Sequence, residues 1–108
     1  MARVAVASKD GVSINLHFGH ASEFWIYQQN GQDWELLERR EVDHYCHGHT
    51  GDQSAMQKNL HTISDCSAVF VAKIGDGPVE KLRAKGIESV DDFAYLGIEE
   101  SLKDYSKK

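Results

Sequence analysis

The sequence predicts a single α/β domain in which helices flank a mixed five-stranded sheet. Two strand-like segments flank Asn30-Gly31, a dipeptide typical of tight β-hairpins. The continuous apolar run Ala68–Ala72 is typical of a strand that is covered on both faces, and apolar residues at helical spacing follow it. With 108 residues and 41% hydrophobic content, the chain can fill one core but not two. We therefore treat residues 1–108 as one domain.

Three strands are predicted in the first half of the chain. Arg3 to Ser8 supplies the first strand, and Lys9 to Ser22 forms a long excursion after it. Phe24 to Gln28 is aromatic and β-branched and supplies the second strand. Trp34 to Val42 returns as the third strand after the type I′ turn that Asn30-Gly31 predicts. The second strand should therefore run antiparallel to both of its neighbours.

One helix and a fourth strand follow. Thr50 and Gln53 fit the capping-box pattern, in which two residues three positions apart satisfy the free backbone amides of a helix start. Apolar residues then recur at helical spacing, so we predict a helix from about Asp52 to Ser64. Ala68–Ala72 supplies the fourth strand after this helix.

The rest of the chain predicts two helices around a last strand. Pro78 opens a short helix that Gly86 closes, and Ile87 to Phe93 supplies the fifth strand. A final helix extends from about Ile98 to Tyr105. The predicted order of elements is β, β, β, α, β, α, β, α.

This order predicts that three loops share one edge of the sheet. Right-handed crossovers keep the first, third, fourth and fifth strands parallel, so the loops that follow the first, third and fourth strands lie together. Open α/β sheets bind ligands at the carboxyl ends of their strands, which makes this edge the expected binding site. The three loops are Lys9 to Ser22, His44 to Gly51 and Gly75 to Gly77.

Histidines are concentrated in the first two of these loops. His17 and His20 flank Phe18-Gly19 in the first loop, and neutral imidazole is the commonest metal ligand in proteins. The same two residues could equally serve as one backbone cap and one solvated side chain. The first loop by itself leaves both interpretations open.

The second loop combines a thiol with imidazoles. Cys46 and His47 lie within the segment His44-Tyr45-Cys46-His47-Gly48-His49, a mixture that suits soft or borderline metals such as zinc, copper or iron-sulfur units. The alternative is a polar loop around a buried Cys46. We favour metal binding, because packing alone gives no reason for so many ligand types. The regular ligand spacing of a structural zinc site is missing, so zinc is the less favoured metal.

The third loop is a possible anion site. Gly75-Asp76-Gly77-Pro78 joins a buried strand to a helix, whose first backbone amides can face an anion. Neither a G-x-G-x-x-G pattern nor a Walker lysine is present, so a nucleotide is not predicted. An ordinary strand-to-helix turn is the simpler interpretation unless the neighbouring loops bring a ligand.

Composition argues against several other classes of function. The formal net charge of −5 provides no basic surface for nucleic acid. No apolar segment approaches the roughly 20 residues that span a bilayer, and no signal peptide is apparent, so we expect a cytoplasmic protein. Cys46 and Cys66 are too few for a disulfide framework, and Cys66 should be a buried apolar side chain. An enzyme is not predicted, because Cys46 and His47 are adjacent and no third catalytic residue accompanies them.

Beyond these patterns, the chain resembles the nitrogenase iron-molybdenum cofactor biosynthesis family, whose domain occurs in NifX, in the core of NafY and at the C-terminus of NifB. The similarity extends over nearly the whole chain, and His17-Phe18-Gly19 is its most specific part. The segments that carry it are Arg3-Val4-Ala5-Val6-Ala7, Ile14-Asn15-Leu16-His17-Phe18-Gly19-His20-Ala21, Phe24 to Tyr27, Tyr45-Cys46, Asp65-Cys66-Ser67-Ala68-Val69, Ala72-Lys73-Ile74-Gly75, Pro78 and Gly86-Ile87.

The resemblance implies a ribonuclease H-like α/β fold that binds iron-molybdenum cofactor or its iron-sulfur precursor and passes it between assembly proteins. The first strand has no central carboxylate for a two-metal nuclease, so nuclease activity is not implied. The family's ligand histidine corresponds to His17. Family domains often have a cysteine before the proline of the third loop, where this chain has Gly77.

The other site residues also follow from the resemblance. His20, Cys46 and His47 are expected as further contacts to the cluster, and the amides around Gly75 and Gly77, together with Lys9, should offset its negative charge. Since Met1 leads directly into the fold, we expect a free-standing NifX-like protein. Two other functions stay open, namely a metal-free module that contacts an assembly partner and a protein that binds a single zinc or copper ion.

Overall fold

A mixed sheet organises the computed structural model, which describes residues 3–18, 23–31, 33–41 and 60–106. In the described residues its spatial order is β3-β2-β1-β4-β5, with β2 antiparallel to β1 and β3, and β4 parallel to β1 and β5. These relations confirm the predicted mixed five-stranded sheet. The strands are β1 (Arg3–Ala7), β2 (Glu23–Asn30), β3 (Asp33–Glu41), β4 (Ala68–Phe70) and β5 (Glu88–Val90).

Helices follow β4 and β5, as predicted. Helix α1 spans Asp76–Ala84 and helix α2 spans Ile98–Ser106. Pro78 does not open α1 but lies in its first turn, where its missing N–H costs nothing because those amides have no partner within the helix. Gly86 follows the helix with a φ of +78°, the left-handed conformation expected at a helix end.

Two strands are shorter than predicted. The fourth strand ends at Phe70 and not at Ala72, because the chain turns there to pair with the first loop, and the fifth strand is limited to Glu88–Val90. Of the helix predicted from about Asp52, residues 60–62 are helical and residues 63–65 form a turn. The remainder of that helix, with its proposed capping box, lies outside the described residues.

The hairpin between β2 and β3 differs by one position from the prediction. Asn30 pairs with Asp33, so Asn30 is the last residue of β2 and the turn begins at Gly31. Gly31 carries the positive φ of +69° that the turn requires. The register shifts between Ile26 and Tyr27, which indicates a β-bulge in the pairing of β2 with β3.

The core has two layers because β1 lies at the centre of the sheet and is covered on both faces. Val4, Ala5, Val6 and Ala7 are all 0% exposed, and alternate members belong to opposite layers. One layer contains Phe18, and the other contains Phe70. The excursion after β1 contributes to both layers and therefore crosses the carboxyl edge of the sheet.

Before β4, one carboxylate joins two strands of the sheet. Asp65 receives hydrogen bonds of 2.6 Å from Arg3 of β1 and from Arg40 of β3. Arg40 also donates to the carbonyl oxygen of Thr62 at 2.7 Å. The turn that precedes β4 is thereby tied to both strands.

We expect Asp65→Asn to lower the free energy of unfolding by about 1 kcal/mol at pH 7, a modest value because the carboxylate is partly exposed. The hydrogen bond from Arg40, with a further one from Arg3, holds the pKa of Asp65 well below its ordinary value of 3.8. A carboxylate with a lowered native pKa stabilises the fold above its unfolded pKa and loses that contribution in acid. The difference from wild type should therefore shrink below about pH 4.

Urea unfolding at pH 7 and at pH 2, closer to the lowered native pKa of Asp65, tests this prediction. Asp104→Asn removes an exposed carboxylate of α2 and serves as the control, with little expected change at either pH. A stability deficit of Asp65→Asn that is the same at both pH values would contradict the proposed ion pair.

Candidate functional site

Two of the three predicted loops meet at the carboxyl edge of the sheet. The backbone N–H of Phe18 donates to the carbonyl of Lys73 at 2.9 Å, and the N–H of Ala72 donates to the carbonyl of Leu16 at 2.9 Å. His17 pairs with Lys73 in a parallel bridge between these bonds. The first loop therefore lies directly against the segment that follows β4. The His44 to Gly51 loop lies outside the described residues.

The residues on either side of His17 fix its backbone. Phe18 is 1% exposed, and its ring centroid lies 5.8 Å from that of Phe24. Leu16 packs partly buried against the same core layer. His17 itself is half-buried. Because both neighbours are anchored in the protein, the imidazole is presented at a defined point of the edge.

Lys73 is a site residue that the sequence analysis did not single out. It is exposed and lies opposite His17, and residues opposite each other in a β-ladder project from the same face. Its segment Ala72-Lys73-Ile74-Gly75 carries part of the family resemblance but shows no pattern that assigns a role to the lysine. Lys9, the predicted cationic residue, is exposed at the carboxyl end of β1 on the same edge.

The start of α1 adjoins this bridge. Gly75 is its N-cap residue with an extended backbone, and no side chain caps the helix in the part of the chain that the structure describes. The first amides are thus available to a ligand, although Asp76 adds a negative charge in the same turn. A Cβ atom on Gly77 would meet nothing within 4 Å, so the fold has room for a side chain at this position.

The first part of the loop is held in one conformation. Oδ1 of Asp10 accepts hydrogen bonds from the N–H groups of Val12 at 2.9 Å and Ser13 at 3.2 Å, and these bonds lower the pKa of Asp10. Gly11 has a φ of +75°, and a Cβ there would lie 2.4 Å from the ring of Trp25. Only glycine satisfies both constraints, so the loop is built for this close approach.

The described cysteine is structural, as predicted. Cys66 is 4% exposed, and burial, with the charge of Asp65, raises the pKa of its thiol to about 12. A protonated, buried thiol is a poor metal ligand. Within the described ranges no three His, Cys, Asp or Glu side chains are grouped closely enough to hold a metal ion. The predicted contacts His20, Cys46 and His47 lie outside those ranges and stay predictions.

The family model described as dinitrogenase iron-molybdenum cofactor matches residues 1–108. The chain belongs to this family. The match covers the full sequence, including the described bridge between His17 and Lys73. It confirms the resemblance that the motifs indicate and places the chain in a family of nitrogenase cofactor biosynthesis.

Curated relatives of this iron-molybdenum cofactor family member carry the name FeMo cofactor biosynthesis protein NifB. The protein from Herbaspirillum seropedicae is 44% identical over 102 residues, which cover 94% of this chain and 19% of the relative. The protein from Frankia alni is 47% identical over 94 residues, 83% of this chain and 18% of the relative. The chain thus spans about a fifth of the length of these relatives.

Solved structures share the fold. The crystal structure of the protein PH0822 aligns with a TM-score of 0.64 and 25% identity, and covers 95% of this chain and 88% of its own. An NMR structure of a Thermotoga protein assigned to NifB aligns with a TM-score of 0.53 and 25% identity, over 99% of this chain and 89% of its own. No helix in the described residues is long and apolar enough to cross a membrane.

Proposed function

We propose that this domain binds iron-molybdenum cofactor or its iron-sulfur precursor as cargo and passes it between cofactor assembly proteins. The observation that carries the proposal is the fixed pairing of His17 with Lys73 at the carboxyl edge of the sheet, in a chain of the iron-molybdenum cofactor family. The edge supplies one imidazole and one lysine side by side. That combination suits an anionic metal-sulfur cluster.

Different described residues would ligate the cluster and offset its charge. The imidazole of His17 would ligate a metal of the cluster, while Lys73, Lys9 and the free amides around Gly75 and Gly77 would offset its negative charge. A complete ligand cage would release the cluster slowly. A site with few protein ligands is therefore better suited to a carrier than to an enzyme, and we propose no catalytic activity for the domain. The protein would work in the cytoplasm beside the other assembly proteins.

Some finer predictions belong to this proposal. His20 from the same loop as His17, and Cys46 and His47 from the second loop, would add contacts to the cluster. The ribonuclease H-like label remains the prediction for the fold family, and the spatial strand order β3-β2-β1-β4-β5 supports it.

Cluster loading tests the proposed function. Anaerobic protein mixed with isolated iron-molybdenum cofactor or its precursor should elute from gel filtration with near one cluster per chain, measured as iron and molybdenum in the protein peak. A metal-free module would elute without metal, and a mononuclear site would retain zinc or copper through dialysis and take up no cluster. Either of these results would contradict the proposed carrier function.

The same assay tests the role of Lys73. Lys73→Glu should weaken cluster binding about fivefold, equivalent to about 1 kcal/mol, because it reverses a charge beside His17. The control is Lys85→Glu, which makes the same change beyond the carboxyl end of α1, at the opposite end of that helix from Gly75. Equal effects of the two substitutions would show that only net charge matters.

A further inference from the structure

Three exposed apolar side chains lie where the first loop meets the segment after β5. Val12 is 68% exposed, Tyr95 is 65% exposed and Leu96 is 50% exposed, the highest values among the large apolar residues in the described ranges. Single exposed apolar residues are common on protein surfaces, but a group of them on adjoining segments is typical of an interaction surface. We call these three residues the apolar patch.

Backbone hydrogen bonds hold the patch together. The N–H of Ile14 donates to the carbonyl of Leu96 at 3.0 Å, and the N–H of Tyr95 donates to the carbonyl of Ile14 at 2.7 Å. The N–H of Ile98 donates to the carbonyl of Val12 at 2.8 Å. Ile14 and Ile98 are fully buried beneath this ladder. The backbone that carries the exposed side chains is therefore fixed before any partner binds, which reduces the entropic cost of binding.

Tyr95 has an unfavourable backbone conformation. Its φ of +64° lies in the left-handed region, which a non-glycine residue occupies at a cost of about 1 kcal/mol. Glycine would avoid this cost, and the exposed ring of Tyr95 makes few packing contacts that could offset it. Strain of this kind is concentrated at functional positions. A large aromatic side chain at this position is more consistent with binding than with folding.

The segments that carry the patch are rich in acidic residues. Val12 shares a surface cavity of about 360 Å³ with Glu99 and Glu100. The two segments that carry the patch, residues 9–13 and 91–100, contain five carboxylates and one lysine: Asp10, Asp91, Asp92, Glu99, Glu100 and Lys9. An apolar centre with an acidic rim is complementary to an apolar surface with a rim of lysine and arginine. A second copy of this chain would bring two acidic rims together.

The patch lies close to His17 along the same loop. Val12 lies five positions before His17, so their Cα atoms are at most about 18 Å apart. A protein docked on the patch would therefore reach the carboxyl edge of the sheet. That position is what a donor or acceptor of the cargo needs.

We propose that the apolar patch is the docking surface for a cofactor assembly protein whose contact face is apolar at the centre and basic at the rim. The proposal rests on the proposed function for the identity of the partner, but docking itself requires no bound cluster. Val12 and Leu96 form its apolar centre, and Glu99 and Glu100 contribute to its rim.

Binding of cluster-free protein to two purified probes tests the docking surface. The probes are full-length NifB from Herbaspirillum seropedicae and cofactor-free dinitrogenase, followed anaerobically by biolayer interferometry. Wild type should bind at least one probe, and Val12→Asp/Leu96→Asp should weaken that binding at least about tenfold. The matched control, Leu36→Asp/Leu37→Asp, alters two exposed leucines of β3 and should stay within about twofold.

A second variant separates docking from folding. Tyr95→Gly should leave the melting temperature unchanged or raised, because it removes the backbone strain, and should still weaken binding. The proposal is overturned if neither probe binds wild type, if the patch and control variants bind alike, or if Val12→Asp/Leu96→Asp dissociates a wild-type dimer on gel filtration. A patch variant that no longer binds the probes but still loads the cluster would support the docking surface and would not contradict the proposed function.

Discussion

Replacing His17 with alanine is expected to reduce cluster loading from near one per chain to less than about a tenth of that value. The described edge contains one imidazole, and His17 is held there by the burial of Phe18 and by the bridge to Lys73. Loss of a metal ligand generally costs more than loss of a charge near the metal, since it removes a bond to the metal, whereas the nearby charge acts through a screened electrostatic interaction. The measurement is iron and molybdenum per chain after anaerobic gel filtration.

His61→Ala is the matched control for this experiment. His61 is also an exposed imidazole of the described chain, but it lies in the short helical segment before β4 and not in the loop that pairs with Lys73. It should load as wild type does. Full loading of His17→Ala would indicate that the principal ligand is Cys46 or His47 of the second loop. The His17–Lys73 pair would then not be needed for cluster binding.

The sequence was sufficient to predict the order of the elements and the directions of the strands because its signals are local and mutually consistent. Gly31 marks the hairpin, the run from Ala68 to Phe70 is fully buried, and Gly86 ends α1 with a positive φ. Once the hairpin sets the directions of β2 and β3, the crossovers leave few arrangements for β4 and β5. The shared edge of the first and third loops followed from these directions alone.

The details of the site depend on tertiary contacts that no local pattern records. Lys73 becomes a site residue only because β4 ends early and its continuation pairs with residues 16–18. The requirement for glycine at position 11 comes from Trp25, fourteen residues further along the chain. The apolar patch likewise arises from a ladder between residues 12–14 and 95–98. Each of these features joins segments that are distant in sequence.

Phe18→Ala is expected to lower the free energy of unfolding by about 3–5 kcal/mol and to weaken cluster binding at least about tenfold in the protein that remains folded. Phe18 is 1% exposed, packs against Phe24, and donates its backbone N–H to Lys73. Its removal leaves a cavity directly beside His17. The ligand would then lose the support that fixes its position, which metal affinity depends on.

Phe70→Ala distinguishes loss of support from loss of stability. Phe70 is also fully buried, but it lies in the opposite core layer. Its ring centroid lies 5.9 Å from that of Phe93 and 5.0 Å from that of Tyr105. The two substitutions remove the same atoms and should cost similar free energies of unfolding. Urea unfolding gives those costs, and cluster titration at low temperature, corrected for the folded fraction, gives the affinities.

The two variants should therefore differ in their affinity for the cluster but not in their free energy of unfolding. Phe70→Ala should bind the cluster within about twofold of wild type, because its cavity lies on the far side of β1 and β4 from Phe18. If both variants lose affinity in proportion to their stability, the site depends on the fold as a whole. If Phe18→Ala alone loses affinity, the buried ring positions His17, and the anchoring of the first loop is part of the binding site.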